Sequence, residues 1–459
     1  MGGRYQGYPE YKDSGVEFID SIPRYWELTK FKYVVDFQEG PGILAKDFFD
    51  SGVPLLRIQN IKENYVTDDY KTFLDPNTAN NKWKQFKVQF GDVIISCSAS
   101  TGLVSEVDSC TVGAIPYTGL IRLRPKPNCI VKDFVKYFVK SEAYHEQIRI
   151  LQTGSTIQHY GPIHLNQISI SMPDLAGQIS IAAFLDYETA KIDTLIEKQQ
   201  TLIALLKEKR QAVISHAVTK GLDPGVPMRD SGVEWLGEVP EHWVVCKLKY
   251  IAKLESGHTP SRRIAEYWQN CTIPWFTLAD VWQLRDGRQV YVKETKEKVS
   301  EIGLANSSAR LLPASTVILS RTASVGFSGI MSVDMATTQD FANWVCGQKI
   351  RPLFLYYILK AMKNDLSRLT MGSTHKTIYM PDIEAFTIAL PPLEEQAMIV
   401  EHITKKIEHF DLIIDKSEQV VTTLTERRTA LISTAVTGKI DVRNWKAPAQ
   451  AQTNTVNAA

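Results

Sequence analysis

Six cysteines in 459 residues (Cys97, Cys110, Cys129, Cys246, Cys271 and Cys346) form no C-x-x-C pair and keep no short regular spacing. That scarcity excludes a disulfide framework and a zinc cage, and fits buried free thiols in a reducing compartment. Long apolar runs are missing too: none approaches the roughly 18 residues of a membrane helix. Residues 1–6 carry no apolar signal core, and Gln6 breaks the myristoylation pattern. A soluble, intracellular protein without a membrane partner is therefore expected. Charge of one sign is also absent, with 52 Lys and Arg against 51 Asp and Glu. That balance excludes a strongly basic nucleic-acid coater and an acidic solvating tail, but leaves room for a DNA reader whose cations are gathered locally. Nucleotide-binding loops of the G-x-x-x-x-G-K-[ST] and G-x-G-x-x-G types, H-E-x-x-H and G-x-S-x-G are all missing. His159 and His164, five apart on an expected loop, suit structural or solvent-facing roles better than metal binding. The run Pro381-Asp-Ile-Glu384 looks like a nuclease acidic cluster but lacks the following lysine. No nucleophile, base and oxyanion donor assemble, so a binder rather than an enzyme is expected.

What is present is repetition. Residues 13–40 align without a gap onto residues 230–257, identical at 11 of 28 positions. A second match, offset by 218, runs from Gly154-Ser-Thr156 and Gly372-Ser-Thr374 to Asp223 and Asp441. It pairs Pro173 with Pro391 and Gln178 with Gln396. The middles diverge, with only Ser96–Gly102 and Ser320–Gly326 as a weak pair between them. A period this long is no solenoid; it is a duplicated domain pair, one scaffold presenting two surfaces.

Each half begins with β-rich runs and turn punctuation, as in Gly91-Asp92 followed by Val93-Ile-Ile-Ser96. Short helices are expected at 133–149 and 352–368, giving α+β domains. A long helix follows in each half, because residues 178–219 and 393–437 hold neither proline nor glycine. Leu185, Ile192, Gln199, Leu206 and Val213 recur every seven residues, as do Ile403, Phe410, Ser417, Leu424 and Leu431. Leu195, Leu202, Ile399, Ile413 and Val420 are expected at the intervening seam positions. About 43 residues at ~1.5 Å each span on the order of 65 Å. The predicted architecture is α+β: two globular domains in pseudo-twofold arrangement, joined by two long helices that form an antiparallel coiled coil. Antiparallel pairing follows from connectivity, since a globular domain returns the chain between the helices. Gln199 and Ser417 interrupt the seam at one matched position; they are either tolerated polarity or a register device near the crossing point. The expected limits are 1–175 and 230–392 for the domains, 176–220 and 393–437 for the helices, 221–229 for a linker, and 438–459 for a C-terminal segment with a flexible tail.

The segments 391–442 and 173–223, the linker DSGVEWLGEVPEHW (230–243) and the opening ESGHTPSRR…YW…IPWFTLAD (255–280) resemble the specificity subunit of Type I restriction–modification enzymes. The resemblance covers about 13–446. It implies that each domain reads one half of an asymmetric bipartite site on double-stranded DNA, and that the coiled coil is a ruler docking two methyltransferase subunits. It further implies that catalysis lies in partners: an adenine-N6 methyltransferase using S-adenosylmethionine on a flipped base, and restriction subunits using ATP and Mg. No cofactor and no metal are expected on this chain. The first domain departs from the second at Glu39-Gly-Pro-Gly42 and at Phe49–Ile61, so loop residues do not transfer between them.

Phosphate contacts call for Lys, Arg and small hydroxyls, and base edges for Arg, Asn, Gln, His or Lys. In the first domain the candidates are Lys82, Lys84 and Lys87 (or a solvated strand edge), Ser98, Ser100 and Thr101, and Ser155, Thr156, Gln158, His159 and Tyr160. In the second they are His258, Thr259, Ser261, Arg262 and Arg263, then Arg321, Thr322 and Ser324, then Ser373, Thr374, His375 and Lys376. For each, a plain surface or hydrogen-bonded turn is the competing reading. A coiled-coil adaptor that binds only proteins is the competing function. Neither domain is basic overall, with 19 cations against 20 anions in 1–175 and 18 against 16 in 230–393. The chain alone is therefore expected to bind its site poorly.

Overall fold

The computed structural model describes residues 5–97, 103–152, 159–370 and 377–447. The chain divides into two compact units: Met1–Gln199 with Gln419–Ala459, and Gln200–Glu418. The expected α+β domains are present, one in each unit.

In the first unit a hairpin, Tyr11–Asp13 with Ser21–Pro23, precedes strand Glu27–Lys30, which pairs antiparallel with Ser169–Met172. The main sheet is antiparallel, in the order Val35–Glu39, Leu120–Pro125, Val93–Ser96, Val104–Glu106. All four residues of Val93–Ser96 are buried, so this strand is covered on both faces and reads as a continuous apolar run. Gly91, at φ +80°, supplies the left-handed turn ahead of it. A smaller sheet pairs Val53–Leu56 with Phe73–Leu74 and, in parallel, with Ile115–Pro116.

The second unit repeats the plan. Hairpin Met228–Asp230 with Glu238–Pro240 is followed by Val244–Lys247 paired with Thr387–Leu390. Its main sheet has five strands, in the order Ala252–Ser256, Phe341–Cys346, Val317–Ser320, Ser328–Met331, Tyr291–Val292. Ile273–Phe276 lies between Glu297–Val299 and Ala336–Thr337 in the smaller sheet. All six cysteines are free. Among the described residues no helix is long and apolar enough to cross a membrane, and no group of His, Cys, Asp and Glu is arranged to hold a metal ion.

The long helices run from Leu175 to Lys220 and from Leu393 to Val436. In the first unit Leu185, Ile192 and Ile196 share a core with Leu424, Leu431, Ile432 and Ala435. In the second, Ile214, Ala217 and Val218 share one with Ile399, Ile403 and Ile407. Early residues of one helix thus meet late residues of the other in both units, which is antiparallel packing. Phe410 and Ser417 are buried, while Gln199, Leu206 and Val213 are half-buried. One expectation is corrected. Leu195, Leu202 and Val420 are exposed at 48%, 38% and 42%, whereas Ile399 is buried and Ile413 half-buried as expected. The row beside the main one is instead Ile196, Ile203, Ile407, Ile414 and Val421, all buried or half-buried. The seam therefore alternates steps of four and three from Leu185 and Ile403, rather than three and four.

The repeated proline and glutamine pairs have a physical role. Buried Gln178 accepts from Val131 N (2.7 Å) and donates to Pro173 O (3.0 Å). Gln396 accepts from Arg351 N (2.9 Å) and donates to Lys349 O and Pro391 O (2.9 Å each). Each staples the start of a long helix to a short helix of its own domain, satisfying backbone groups that would otherwise be buried without partners. Beyond the second helix, Ile440 and Val442 join the first unit's core with Tyr8, Ile22 and Trp26, and Trp445 packs on Phe184 at 5.4 Å.

Candidate nucleic-acid interface

In both domains the first and central strands of the main sheet end at one edge. Gly40 closes the first strand of the first domain, and a Cβ there would penetrate the carbonyls of Pro116 and Tyr117. Gly257, its counterpart, is pressed in the same way against Thr337 and Thr338. Only glycine permits this approach.

At this edge in the first domain, Cys97 N donates to Gly119 O (2.9 Å) and Tyr160 N donates to Cys97 O (3.2 Å). The described residues flanking 98–102 and 153–158 therefore meet here. Ser98, Ser100, Thr101, Ser155, Thr156 and Gln158 lie outside the described residues. His159 Nε2 sits 3.3 Å from Glu39 Oε1, which also accepts from Gly119 N (3.2 Å). Tyr160 is corrected to a core residue: 2% exposed, it donates its hydroxyl proton to Ser96 O (3.2 Å) and packs against Tyr144. Burial pushes the Cys97 thiol and the Tyr160 phenol well above their ordinary values, so both are neutral.

Lys82, Lys84 and Lys87 follow from helix Pro76–Lys82 through a 3-10 turn, Lys84–Phe86, not from a strand edge. Lys82 and Lys84 are exposed, Trp83 between them is buried, and Lys87 Nζ donates to Asn80 Oδ1 (2.6 Å). Arg122 positions this segment. Its guanidinium donates to Gln85 O and Lys87 O (3.2 Å each) and to Gln38 Oε1 (2.7 Å), one residue before Glu39. Sequence reasoning missed Arg122, whose partners are distant in the chain. It also missed Arg57, stacked at 5.1 Å from the ring centres of both Phe48 and Tyr117. The sequence signal for Arg57 was present: a lone cation inside an otherwise apolar strand end, Pro54–Ile58.

In the second domain the edge is built around Arg321, in the place of Cys97. Arg321 N donates to Asp340 O (2.9 Å) and its carbonyl accepts from Ile378 N (2.8 Å). Its guanidinium donates to Gln339 O and Ile378 O (3.0 Å each). Thr322 bridges to Thr377, Ser324 N donates to Thr322 O, and Ala323 between them has φ +58°, a conformation alanine rarely adopts. Thr259 donates to Gln339 Oε1 (2.8 Å), and exposed His258 donates its backbone N–H to Thr337 O (3.0 Å). The structure thus brings His258, Thr259, Arg321 and Thr322 to one edge. Ser261, Arg262 and Arg263 follow directly and are all exposed. Arg262 lies over Trp268 at 4.7 Å and bonds Glu297 (2.7 Å), while Ser261 O accepts from Trp268 Nε1 (3.1 Å). Ser373, Thr374, His375 and Lys376 lie outside the described residues. Chemically, the described residues offer ammonium, guanidinium and imidazole donors in the first domain and guanidinium, imidazole and hydroxyl donors in the second, the groups that phosphates and base edges accept from.

The chain is 22% identical over 435 residues to a putative type I restriction enzyme specificity subunit, MjaX, of Methanocaldococcus jannaschii, covering 93% of this chain and 96% of that one. It is 23% identical to the EcoKI specificity subunit of Escherichia coli, covering 87% and 84%. A match to the MjaIX specificity subunit of M. jannaschii is 28% identical but covers only 40% of this chain and 41% of that relative. The HsdS subunit of Thermoanaerobacter tengcongensis shares the fold, with a TM-score of 0.51 at 16% identity over 91% of this chain and 98% of that one. A chain from a study of type I R-M complex assembly shares it with a TM-score of 0.68, again at 16% identity, over 91% and 99%. A family model for the Type I restriction modification DNA specificity domain matches twice, at residues 23–205 and 240–422. Two copies of that domain account for most of the chain, which therefore belongs to the Type I restriction–modification DNA specificity family.

Proposed function

We propose that this chain is the non-catalytic specificity subunit of a cytoplasmic prokaryotic restriction–modification complex. Each domain, taken as 1–175 and 230–392, reads one half of an asymmetric bipartite site on double-stranded DNA. The long helices set the half-site spacing, on the order of one helical turn or ~34 Å, and dock two methyltransferase subunits. Adenine methylation with S-adenosylmethionine, and ATP- and Mg-dependent restriction, belong to the partners. The observation that carries this reading is the equivalence of the two edges. Gly40 and Gly257 fix the same strand end, and the side chains around it differ. In the first domain the DNA-facing residues are Lys82, Lys84, Lys87 and His159. In the second they are His258, Thr259, Ser261, Arg262, Arg263, Arg321, Thr322 and Ser324. The polar residues within 98–101, 155–158 and 373–376, outside the described residues, are assigned to DNA contact by the same reading. The test is the salt dependence of DNA binding by the chain assembled with its methyltransferase. Log K should fall steeply with log salt, by ~0.9 for each phosphate neutralised. A slope near zero would favour a coiled-coil adaptor that binds proteins alone.

A further inference from the structure

A charged constellation occurs once in each unit, and only the first unit closes it. There, Arg428 on the second long helix donates to both oxygens of Asp193 on the first (2.7 and 3.3 Å) and to Glu63 Oε1 (2.6 Å). Lys140, at the end of helix Lys132–Val139, donates to Glu63 O (3.4 Å). The offset of 218 carries Arg210 onto Arg428 and Asp193 onto Asp411. Lys360 answers to Lys140: each lies nine residues beyond the backbone N–H, Val131 or Arg351, that a buried glutamine accepts. Glu63 lies three residues past Asn60, which accepts from Arg57 N. Three residues past Asp280, which accepts from Thr277 N in the same way, stands Gln283. Gln283 is neutral and donates to Glu294 O (3.1 Å).

The second constellation therefore has no carboxylate where Glu63 stands in the first. Arg210 donates to Gly287 O (2.6 Å) and approaches Asp411 only to 3.7 Å. Arg210 Nε and Asp411 Oδ1 are buried without a hydrogen-bond partner. Lys360 Nζ stands 5.3 Å from the Tyr356 ring centre. Burial, with the like charges of Arg210 and Lys363, pushes its amine down to about 8, against a smaller opposing pull from Asp286. These groups line a cavity of about 820 Å³, walled by six Lys and Arg against four Asp and Glu. Two of the six cations, Lys207 and Arg288, are already paired with Glu418 and Asp415 outside that wall. The volume is that of a small-molecule site. The Lys360 ammonium, in the same wall as the Arg210 guanidinium, is a charged donor for a carboxylate.

We propose that this cavity binds a small carboxylate ligand, whose oxygens bond the Lys360 ammonium, left without the partner that Glu63 O gives Lys140, beside the Arg210 guanidinium that Gly287 O already meets. The proposal does not depend on the DNA-reading function. Malonate titrated calorimetrically into the full chain, at pH 7 and constant ionic strength, should bind saturably. Lys360→Met should weaken that affinity by about tenfold and exposed Lys363→Gln by about threefold, each with an unchanged circular dichroism spectrum. Lys140→Met, in the closed constellation, should leave it unchanged. No saturable binding, an equal loss in Lys140→Met, or inorganic phosphate binding as tightly as malonate would each overturn the assignment.

Discussion

Cys97 and Arg321 occupy the same place in the two domains. Each follows a fully buried strand, donates its backbone N–H to the next strand's turn, and accepts from the residue that opens the last segment, Tyr160 or Ile378. Around this shared backbone the side chains have opposite characters. The Cys97 thiol is wholly buried, whereas the half-exposed Arg321 guanidinium is held by two carbonyls. The comparison teaches that the frame is fixed by backbone hydrogen bonds and by residues repeated in both halves. The edge it carries is free to change, so two surfaces can diverge without remodelling the scaffold.

The strongest way to break this comparison is to attack the repeated frame. Trp26 and Trp243 are each 1% exposed at matched positions. Trp26→Ala and Trp243→Ala should each cost about 3–5 kcal/mol, read by urea unfolding. A small loss at either one would mean that the repeat is not the frame. The glutamine staples come next. Gln178→Leu and Gln396→Leu should cost about 1–3 kcal/mol each through stranded backbone groups. Gln396 should cost more, because it serves three such groups and Gln178 serves two.

These repeated residues also make the fold legible in the sequence. Duplication at a near-constant offset exposes two domains, and uninterrupted heptads expose two long helices. The second seam row is ambiguous in the sequence for a physical reason. Leu195-Ile196, Leu202-Ile203, Ile413-Ile414 and Val420-Val421 are adjacent apolar pairs. Steps of three and four from the main row then land equally on apolar residues, and only packing decides between them. The candidate site is less legible. The Gly-Ser-Thr and Ser-Ala-Ser runs lie outside the described residues, and Tyr160 turns inward because its neighbours Tyr144 and Ser96 supply a buried pocket for its hydroxyl. Arg122 acts through Gln38, Gln85 and Lys87, which only the folded sheet gathers.

A smaller effect sharpens the contrast through pH. Burial would raise the Glu106 carboxyl of the first domain, but hydrogen bonds from Lys132 and Lys136 outweigh it and hold it below the usual range. A depressed carboxyl contributes stability that is fully present above its unfolded value of about 4.3 and is lost as pH falls through the folded value. Glu106→Gln should therefore lower stability near neutrality and flatten the first unit's acid-unfolding limb below about pH 4.3. An unchanged acid limb would show that the lysines do not stabilise the anion. The smallest expected effect is at the surface. Arg263→Ala should weaken binding of the assembled complex to all DNA sequences alike and reduce the salt slope by about 1. A change confined to one base of the site would instead make Arg263 a base reader.

The central claim, one frame with two different reading edges, is tested most directly by mapping the methylated adenines in DNA from cells carrying this chain and its partners. The account predicts an interrupted, asymmetric motif in which exchanging residues 230–392 for another specificity domain alters one half only. A continuous palindrome, or a change in both halves, would contradict it.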